Sequence, residues 1–411
     1  MNLFKLTWNY LKAKPLNTML NIFLLALGIA VITVLLLFNN QLKEKISANV
    51  RGIDLVVGAK GSPLQLILCS IFHIDFPTGN IKLSVAEKIS RHRLVKNAIP
   101  LALGDSYNGY RIVGTDQEYP ALYKASLASG EWWKKDLEVT LGSNAARLTG
   151  LKVGDSFASA HGLTTEGSEH DLLHYTVIGI MDMSHTVMDN LILTNVESVW
   201  KVHKTSNDTL PALAPQHPSP LVSSVEAGDS LKEITSLLIQ YRNPLAIIQL
   251  PRFINSNSNL QAASPAFEIA RLFSILGVGA EVLNGFALVL IFISGLSIFI
   301  ALYNSLKERQ YDLAIMRSMG ASRNKLFISV ILEGSILTIL GSIFGLTLGH
   351  CVLWLFTIFI VESQKAGLTA SVFYLVEAFL LAGSAALGVV CSLIPAVQAY
   401  RTDIHKVLAG N

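Results

Sequence analysis

The chain has 411 residues, of which 51% are hydrophobic and only 15% are charged, and its mean hydropathy is +0.47. Soluble proteins usually carry about a quarter charged residues, so this composition predicts a membrane protein with a substantial soluble part, not a soluble enzyme. The net charge of +3 comes with no local basic stripe, which argues against nucleic-acid binding. Three scattered cysteines cannot form a disulfide framework.

Four segments contain charge-free runs long enough to cross a bilayer, which takes about 20 apolar residues. The first follows Lys5, Lys12 and Lys14, but its apolar run is too long for a signal peptide and no small-residue cleavage site follows it. We therefore predict a retained anchor, followed much later in the chain by three further spans.

The distribution of Lys and Arg near the span ends predicts the orientation. The positive segments before span one, between spans two and three, and after span four are expected in the cytoplasm. The predicted order is a cytoplasmic segment (1–18), span one (19–40), an external domain with a helical stalk (41–281), span two (282–306), a cytoplasmic loop (307–327), span three (328–361), a short external loop (362–372), span four (373–397) and a cytoplasmic tail (398–411). The expected fold class is a membrane α-helical protein with one plus three spans and a large α+β extracytoplasmic domain.

The external domain mixes patterns typical of strands and helices. Strands are predicted at 53–58, 109–115 and 173–181, helices at 84–95 and 230–241, and an exposed loop at the proline-rich residues 204–220. At the far end of the domain, helical spacing predicts one continuous helix from 265 to 306, roughly 60 Å long. A break at Gly277 or Gly279 is the alternative.

The apolar segment at 63–76 is unusual for a domain that faces water, and it is too short to span a membrane. Its side chains Leu66, Ile67, Ile71 and Phe72 are candidates for contact with an apolar cargo or with the membrane surface. Burial in the core of the domain is the alternative.

The cytoplasmic loop is the most specific segment in the sequence. Helical spacing places Leu313, Met316 and Met319 on one stripe and ends the helix at Gly320. An amphipathic helix with methionines on its apolar face suits docking into a groove of another protein. A turn that lies on the membrane with its arginines among lipid phosphates is the alternative.

This loop resembles the MacB/FtsX-like permeases of ABC transporters, a family that includes the lipoprotein-releasing LolC/LolE type. Residues that match the family pattern include Glu308, Arg309, Asp312, Leu313, Arg317, Gly320 and Ala321. Together with Met316 of the apolar stripe, these are the residues predicted to couple to an ATPase. Asp312 and Ala314 replace the family's usual glutamate and glycine. Residues 141–157 with 175–182, Glu333 and residues 392–408 extend the resemblance over the whole chain.

The resemblance implies two permease chains, as a homodimer or heterodimer, and two ATPase subunits in a cell inner membrane. The chain has no GxxxxGK[ST] motif, so ATP and Mg are expected on the partner ATPase, with no cofactor on this chain and no enzymatic activity of its own. The implied work is mechanotransmission to the periplasmic domain, which would extract or export a lipid, lipoprotein, drug or peptide. A periplasmic adaptor or lipoprotein is a further possible partner. The alternative is a non-transporting FtsX-like regulator that relays ATP binding to an external enzyme or sensor.

Three further patterns lead to predictions of their own. Gly341, Gly345 and Gly349 form a row in span three that allows close helix packing, either within the chain or at a dimer seam. His350 lies deep in the same span, and no charged partner is evident, which argues against ion-coupled transport. His170 and His174 have a spacing that can hold a metal on a helix, a weak signal for a metal-linked role against that of a solvated polar loop.

Overall fold

The computed structural model describes residues 3–13, 15–161, 169–208, 232–359 and 368–401. The chain divides into two compact units: a helical one formed by Met1–Leu42 and Ile275–Asn411, and an α+β one formed by Lys43–Ser274. In the described residues the helices are α1 (Leu3–Ala13), α2 (Pro15–Val50), α3 (Pro63–Ile67), α4 (Leu83–Ser90), α5 (Glu118–Leu122), α6 (Ser143–Thr149), α7 (Val196–Asp208), α8 (Ala246–Asn257), α9 (Pro265–Glu308), α10 (Gln310–Ser318), α11 (Arg323–Phe359) and α12 (Leu375–Arg401).

Four of these helices, α2, α9, α11 and α12, are long and apolar enough to cross a membrane. They have 36, 44, 37 and 27 residues, in an order of one helix before the α+β domain and three after it. The fold class predicted from the sequence is therefore confirmed. Helix α9 runs unbroken through Gly277 and Gly279, so its 44 residues are about 66 Å long.

The glycine row of span three lies against span one of the same chain. A Cβ built on Gly345 would stand 2.7 Å from both the carbonyl oxygen of Ala26 and the Cβ of Ile29, which is closer than real side chains allow. Gly341 and Gly349 meet Leu25 and Thr33 in the same way. The row therefore packs α11 onto α2 within the chain, one of the two alternatives that the sequence left open.

The α+β domain is built on a mixed sheet. Its strands are β1 (Leu55–Ala59), β3 (Val95–Tyr107), β4 (Tyr110–Gly114), β5 (Leu127–Gly130), β6 (Glu138–Leu141), β7 (Ser156–His161), β8 (Glu169–Met181), β9 (Leu191–Thr194), β11 (Ser236–Tyr241) and β12 (Leu260–Ala263), and a separate two-stranded sheet joins β2 (Ile81–Lys82) to β10 (Glu233–Ile234). The strand order is β12-β1-β11-β3-β4-β9-β6-β8-β5, with β7 paired to β3 and β8. The β4–β9 and β6–β8 pairs are parallel, and the other pairs are antiparallel.

The predicted helix at 230–241 is wrong. Its described part forms β10 and β11, and β11 lies between β1 and β3 with Leu237, Leu238 and Ile239 buried. Both neighbouring strands satisfy its backbone groups, and this outweighs the local helical pattern. Of the predicted proline-rich loop, 204–208 belong to the end of α7 and 209–220 lie outside the described residues.

Candidate functional site

Helix α10 is a short, separate helix between the long helices α9 and α11. It follows Arg309, whose carbonyl oxygen accepts the first helical hydrogen bond, from the amide of Leu313, at 3.0 Å. It ends before Gly320, where φ is +96°, a conformation that favours glycine. The amide of Ala321 donates back to the carbonyl oxygen of Met316 at 2.9 Å and closes the turn. Gly320 and Ala321 therefore define where the helix stops.

One face of α10 is buried against the other helices of the same unit. Leu313 is only 7% exposed and belongs to an apolar cluster, and Met316 packs partly buried against the same cluster. The other buried members of the cluster are Leu306, Leu326, Val330, Ala396 and Ala399. Two of the three residues in the predicted docking stripe thus hold α10 in place. This burial leaves their side chains little surface for a partner.

The opposite face of α10 is open and partly apolar. Tyr311, Ile315 and Met319 are 58%, 37% and 82% exposed. They are four residues apart, so they lie along one side of the helix. We call these three residues the exposed face of α10. The sequence pattern included Met319 but missed Tyr311 and Ile315, because an amphipathic pattern does not say which apolar residues the neighbouring helices cover.

A buried ion pair fixes the start of α10. Arg309 Nη2 donates to both carboxylate oxygens of Glu333, at 3.0 and 3.2 Å, and the side chains are 18% and 9% exposed. The guanidinium also donates to the carbonyl oxygen of Ser305 at 3.1 Å and to its hydroxyl, and its Cζ lies 4.1 Å from the ring centroid of Tyr10 in α1. These contacts tie α1, α9, α10 and α11 together at one point. A planar guanidinium is suited to this because it donates in several fixed directions.

The remaining predicted coupling residues lie around this anchor. Glu308 and Asp312 are exposed, and Arg317 is half-buried. Arg309, in contrast, is buried against Glu333.

The predicted cargo residues lie in the core of the α+β domain. Leu66, Ile67 and Ile71 are at most 2% exposed, and Phe72 packs partly buried against the same cluster. Helix α3 and the π-helical turn that follows it carry these side chains onto the sheet, where they meet core residues such as Ile99 and Leu101. The side chains predicted to contact a cargo thus have almost no free surface. Their position agrees with the alternative prediction, burial in the core of the domain.

The histidine pair of the weak metal prediction lies on a strand. His170 and His174 both belong to β8, not to the helix that the metal hypothesis requires. The helical i, i+4 spacing on which the metal prediction depends is therefore not present. Among the described residues, no group of three or more metal-ligating side chains comes together.

His350 has a carboxylate partner, which corrects the prediction from sequence. Its Nε2 lies 3.1 Å from Oε2 of Glu377, and the two side chains are 12% and 7% exposed. Glu377 belongs to the first turn of α12, 27 residues further along the chain, so sequence spacing gives no sign of the contact. The pair lies at the opposite end of α11 from the Arg309–Glu333 pair.

In chain order, one membrane-length helix precedes the large α+β domain and three follow it, as in a membrane protein with an extracytoplasmic domain. The family model described as FtsX-like permease C-terminal matches residues 284–404, and the model described as MacB-like periplasmic core domain matches residues 18–238. The chain therefore belongs to the MacB/FtsX-like family of ABC transporter permeases. A comparison with curated proteins finds no match.

Two solved structures are similar to the chain at 12% identity. One is the periplasmic region of MacB from Actinobacillus actinomycetemcomitans, with a TM-score of 0.34, covering 56% of this chain and 97% of that chain. The other is the extracellular domain of the noncanonic ABC-type transporter YknZ from Gram-positive bacteria, with a TM-score of 0.29, covering 52% of this chain and 99% of that chain.

Proposed function

We propose that the chain is the permease subunit of an ABC transporter and that a separate ATPase binds the exposed face of α10. The observation that carries this proposal is the division of α10 into two faces. Leu313 and the Arg309–Glu333 pair hold one side on the bundle, while Tyr311, Ile315 and Met319 remain open on the other. A firmly anchored helix with an open apolar face can pass on the movement of a partner that grips it.

The proposed mechanism is mechanotransmission along α9. This helix begins directly after β12 and ends one residue before Arg309. Its length of about 66 Å is twice the hydrocarbon thickness of a bilayer. In this mechanism, ATP-driven displacement of α10 moves α9 and changes the shape of the external domain. We further propose a dimer of permease chains in the inner membrane, with both termini in the cytoplasm.

The proposed cargo is an apolar or amphipathic molecule such as a lipid, lipoprotein, drug or peptide. Since Leu66, Ile67 and Ile71 are core residues, their apolar character no longer supports this cargo class. Exposed apolar side chains of the domain, including Ile74, Phe76, Ile247 and Ile248, are the candidate contact residues in their place. An adaptor or lipoprotein partner would require the same kind of surface.

A regulator that relays ATP binding to an external enzyme or sensor is the second candidate function. The observation that favours it is the burial of the predicted cargo residues, which removes the sequence feature that spoke for a lipid-like cargo. Deleting the gene separates the two functions. Loss of lipid, lipoprotein or drug export supports the transporter, whereas intact export with a changed cell-wall hydrolase or sensor response supports the regulator.

The test of the ATPase contact uses the tagged full-length chain, purified in mild detergent from membranes of its native host. We expect ATP hydrolysis to co-purify with it. Ile315→Glu should reduce this activity at least about tenfold, since it places a charge in the middle of the apolar contact. The matched control is Gln310→Glu, an exposed position in the same helix that lies on a different side from Tyr311, Ile315 and Met319. Equal activity for Ile315→Glu and the control, or no ATPase activity with any chain, contradicts the proposal.

A further inference from the structure

His350 lies between two hydrogen-bond acceptors. Its Nδ1 is 2.6 Å from the backbone carbonyl oxygen of Ala370, and its Nε2 is 3.1 Å from Oε2 of Glu377. The other oxygen of Glu377 accepts a hydrogen bond from the backbone amide of Tyr374 at 3.1 Å. The ring of Phe373 covers the imidazole at a centroid distance of 4.5 Å. The imidazole and the carboxylate are thus enclosed by their partners at one end of the bundle.

The two contacts of the imidazole determine how many protons the pair must hold. A carbonyl oxygen can only accept, so Nδ1 must carry a proton. A second proton must lie between Nε2 and the carboxylate, since otherwise a lone pair would face a negative charge. That proton is either on His350, as an imidazolium beside a carboxylate, or on Glu377, as a carboxylic acid that donates to a neutral imidazole. In both cases the pair holds one proton more than a neutral imidazole and a free carboxylate.

Near this proton, α11 and α12 contribute no charged residue other than His350 and Glu377, whereas α2 continues past Gln41 into Lys43, Glu44 and Lys45. Helix α11 carries no charged residue after Glu333, α12 carries none between Glu377 and Arg401, and the helical-unit part of α2 carries none. The segment 368–374 contributes Tyr374 as its titratable residue, and α11 contributes Cys351, which is exposed beside His350.

The site also connects three helices through the segment 368–374. His350 holds the segment from α11, and Glu377 holds it from α12. The side-chain amide of Gln41 holds it from α2, since Gln41 Nε2 donates to the carbonyl oxygen of Thr369 at 2.7 Å and Gln41 Oε1 accepts from the amide of Thr369 at 2.9 Å. We propose that His350 and Glu377 form a proton-binding site. The proton that they share maintains the hydrogen bonds that hold the segment 368–374 at the ends of the membrane helices.

Loss of the proton has a defined consequence. Either the carbonyl oxygen of Ala370 or the carboxylate of Glu377 then faces an imidazole nitrogen that has no hydrogen, and that hydrogen bond is lost. The segment 368–374 is therefore held in place while the proton is present and loosens when the proton is lost. This inference is independent of the proposed ATPase contact, because it concerns only groups at the other end of the bundle.

The variant Glu377→Gln tests the proton count without removing the contact. A glutamine amide does not titrate and donates to a neutral Nε2, while Nδ1 continues to donate to Ala370, so this variant imitates the protonated carboxyl group. His350→Gln is the complementary variant, since it carries no titratable proton. Both are made in the full-length chain with Cys351→Ser and a spin label attached through Ser371→Cys, an exposed position in the segment.

The mobility of the spin label is measured from about pH 5 to about pH 9. We expect it to increase where the native pair loses the shared proton, but to stay the same with Glu377→Gln. Nitrogen-15 NMR of protein labelled at histidine then reports which ring nitrogens of His350 carry a proton. The variant His350→Gln identifies the signal of this residue by its loss. At low pH the spectrum should show either two protonated ring nitrogens or a single Nδ1–H tautomer next to a protonated carboxyl group. The same mobility curve for native and Glu377→Gln chains, or a neutral ring beside an ionised Glu377 throughout this range, overturns the proposal.

Discussion

Buried basic side chains have different kinds of contact partner in the helical bundle and in the α+β domain. In the bundle, Arg309 and His350 each lie against a carboxylate, at 3.0 and 3.1 Å. In the domain, buried Arg111 donates to the carbonyl oxygen of Asp75 at 2.8 Å and lies 3.8 Å from the sulfur of Cys69. Buried His73 in turn faces the hydroxyl of Tyr119 at 2.8 Å. The buried basic side chains of the bundle are thus in contact with carboxylates, whereas those of the domain are in contact with neutral polar groups.

The difference follows from whether a buried basic group can lose its proton and become neutral or must be compensated by acceptors. Burial first, and then the charge of Arg111, lower the pKa of His73 to about 3, so this histidine is neutral at ordinary pH. Burial also lowers the pKa of Arg111, but an arginine keeps its proton in proteins and needs several acceptors. In the bundle, a carboxylate from a neighbouring helix supplies the acceptors for buried Arg309, and another lies against buried His350.

The largest expected effect is the loss of a bundle carboxylate. Glu333→Leu leaves the guanidinium of Arg309 buried without its counter-charge, and we expect a loss of about 3–5 kcal/mol of stability. The midpoint of denaturant unfolding in detergent micelles measures it, with exposed Asp312→Asn as the control. A loss below about 1 kcal/mol, no larger than that of the control, would show that the bundle does not need this charge pair.

The next effect is a loss of stability of the α+β domain at low pH. The pKa of His73 is about 3 when folded and 6.5 when unfolded, so the unfolded chain takes up the proton first. Stability from neutral His73 is complete above pH 6.5 and is lost as the pH falls towards 3, by about 1.4 kcal/mol for each pH unit. Hydrogen exchange of the β1 and β11 amides in the full chain measures this loss.

His73→Asn should remove that part of the pH dependence, because asparagine does not titrate and tolerates the left-handed backbone at this position, where φ is 57°. The matched control is His185→Asn, which has a φ of 56° but an exposed side chain. If both variants keep the slope of the native chain, His73 does not carry the acid sensitivity of the domain.

The smallest expected effect is the removal of the domain's buried arginine. Arg111→Met removes a charge whose Nε has no hydrogen-bond partner among the described residues, but it leaves the carbonyl oxygen of Asp75 without its donor. These changes oppose each other, so we expect a net loss of no more than about 1–2 kcal/mol. Exposed Arg91→Met provides the baseline. A loss as large as that of Glu333→Leu would remove the distinction between the two regions.

The sequence predicted the features that depend on local composition. Hydropathy located all four spans, and helical spacing with no proline after Pro265 predicted the unbroken α9. It failed where distant parts of the chain decide the outcome. The segment of β11 carries a helical pattern, and only pairing with β1 and β3 makes it a strand.

The candidate sites show the same limit. Amphipathic spacing identified α10 as a surface helix, yet Leu313 and Met316 turn inwards because α11 and α12 supply the apolar cluster that covers them. The partner of His350 comes from the start of another helix, and no periodicity relates the two positions. The apolar character of residues 66–72 indicates only that these side chains are kept away from water. The sheet on which they pack determines that they are buried inside the domain and do not face a ligand.

The position of β1 has a consequence for the synthesis of the chain. This strand pairs on both sides with strands made much later, since Val56 lies opposite Leu238 in β11 and Ala263 in β12. About two hundred residues separate β1 from its last partner, and a ribosome needs on the order of 10–40 s to add them. During that interval Leu55, Val56 and Val57, all fully buried in the finished domain, have neither of their neighbouring strands. The newly made domain therefore carries an unpaired apolar strand beside its first anchor, which makes the nascent chain a natural substrate for chaperones outside the membrane.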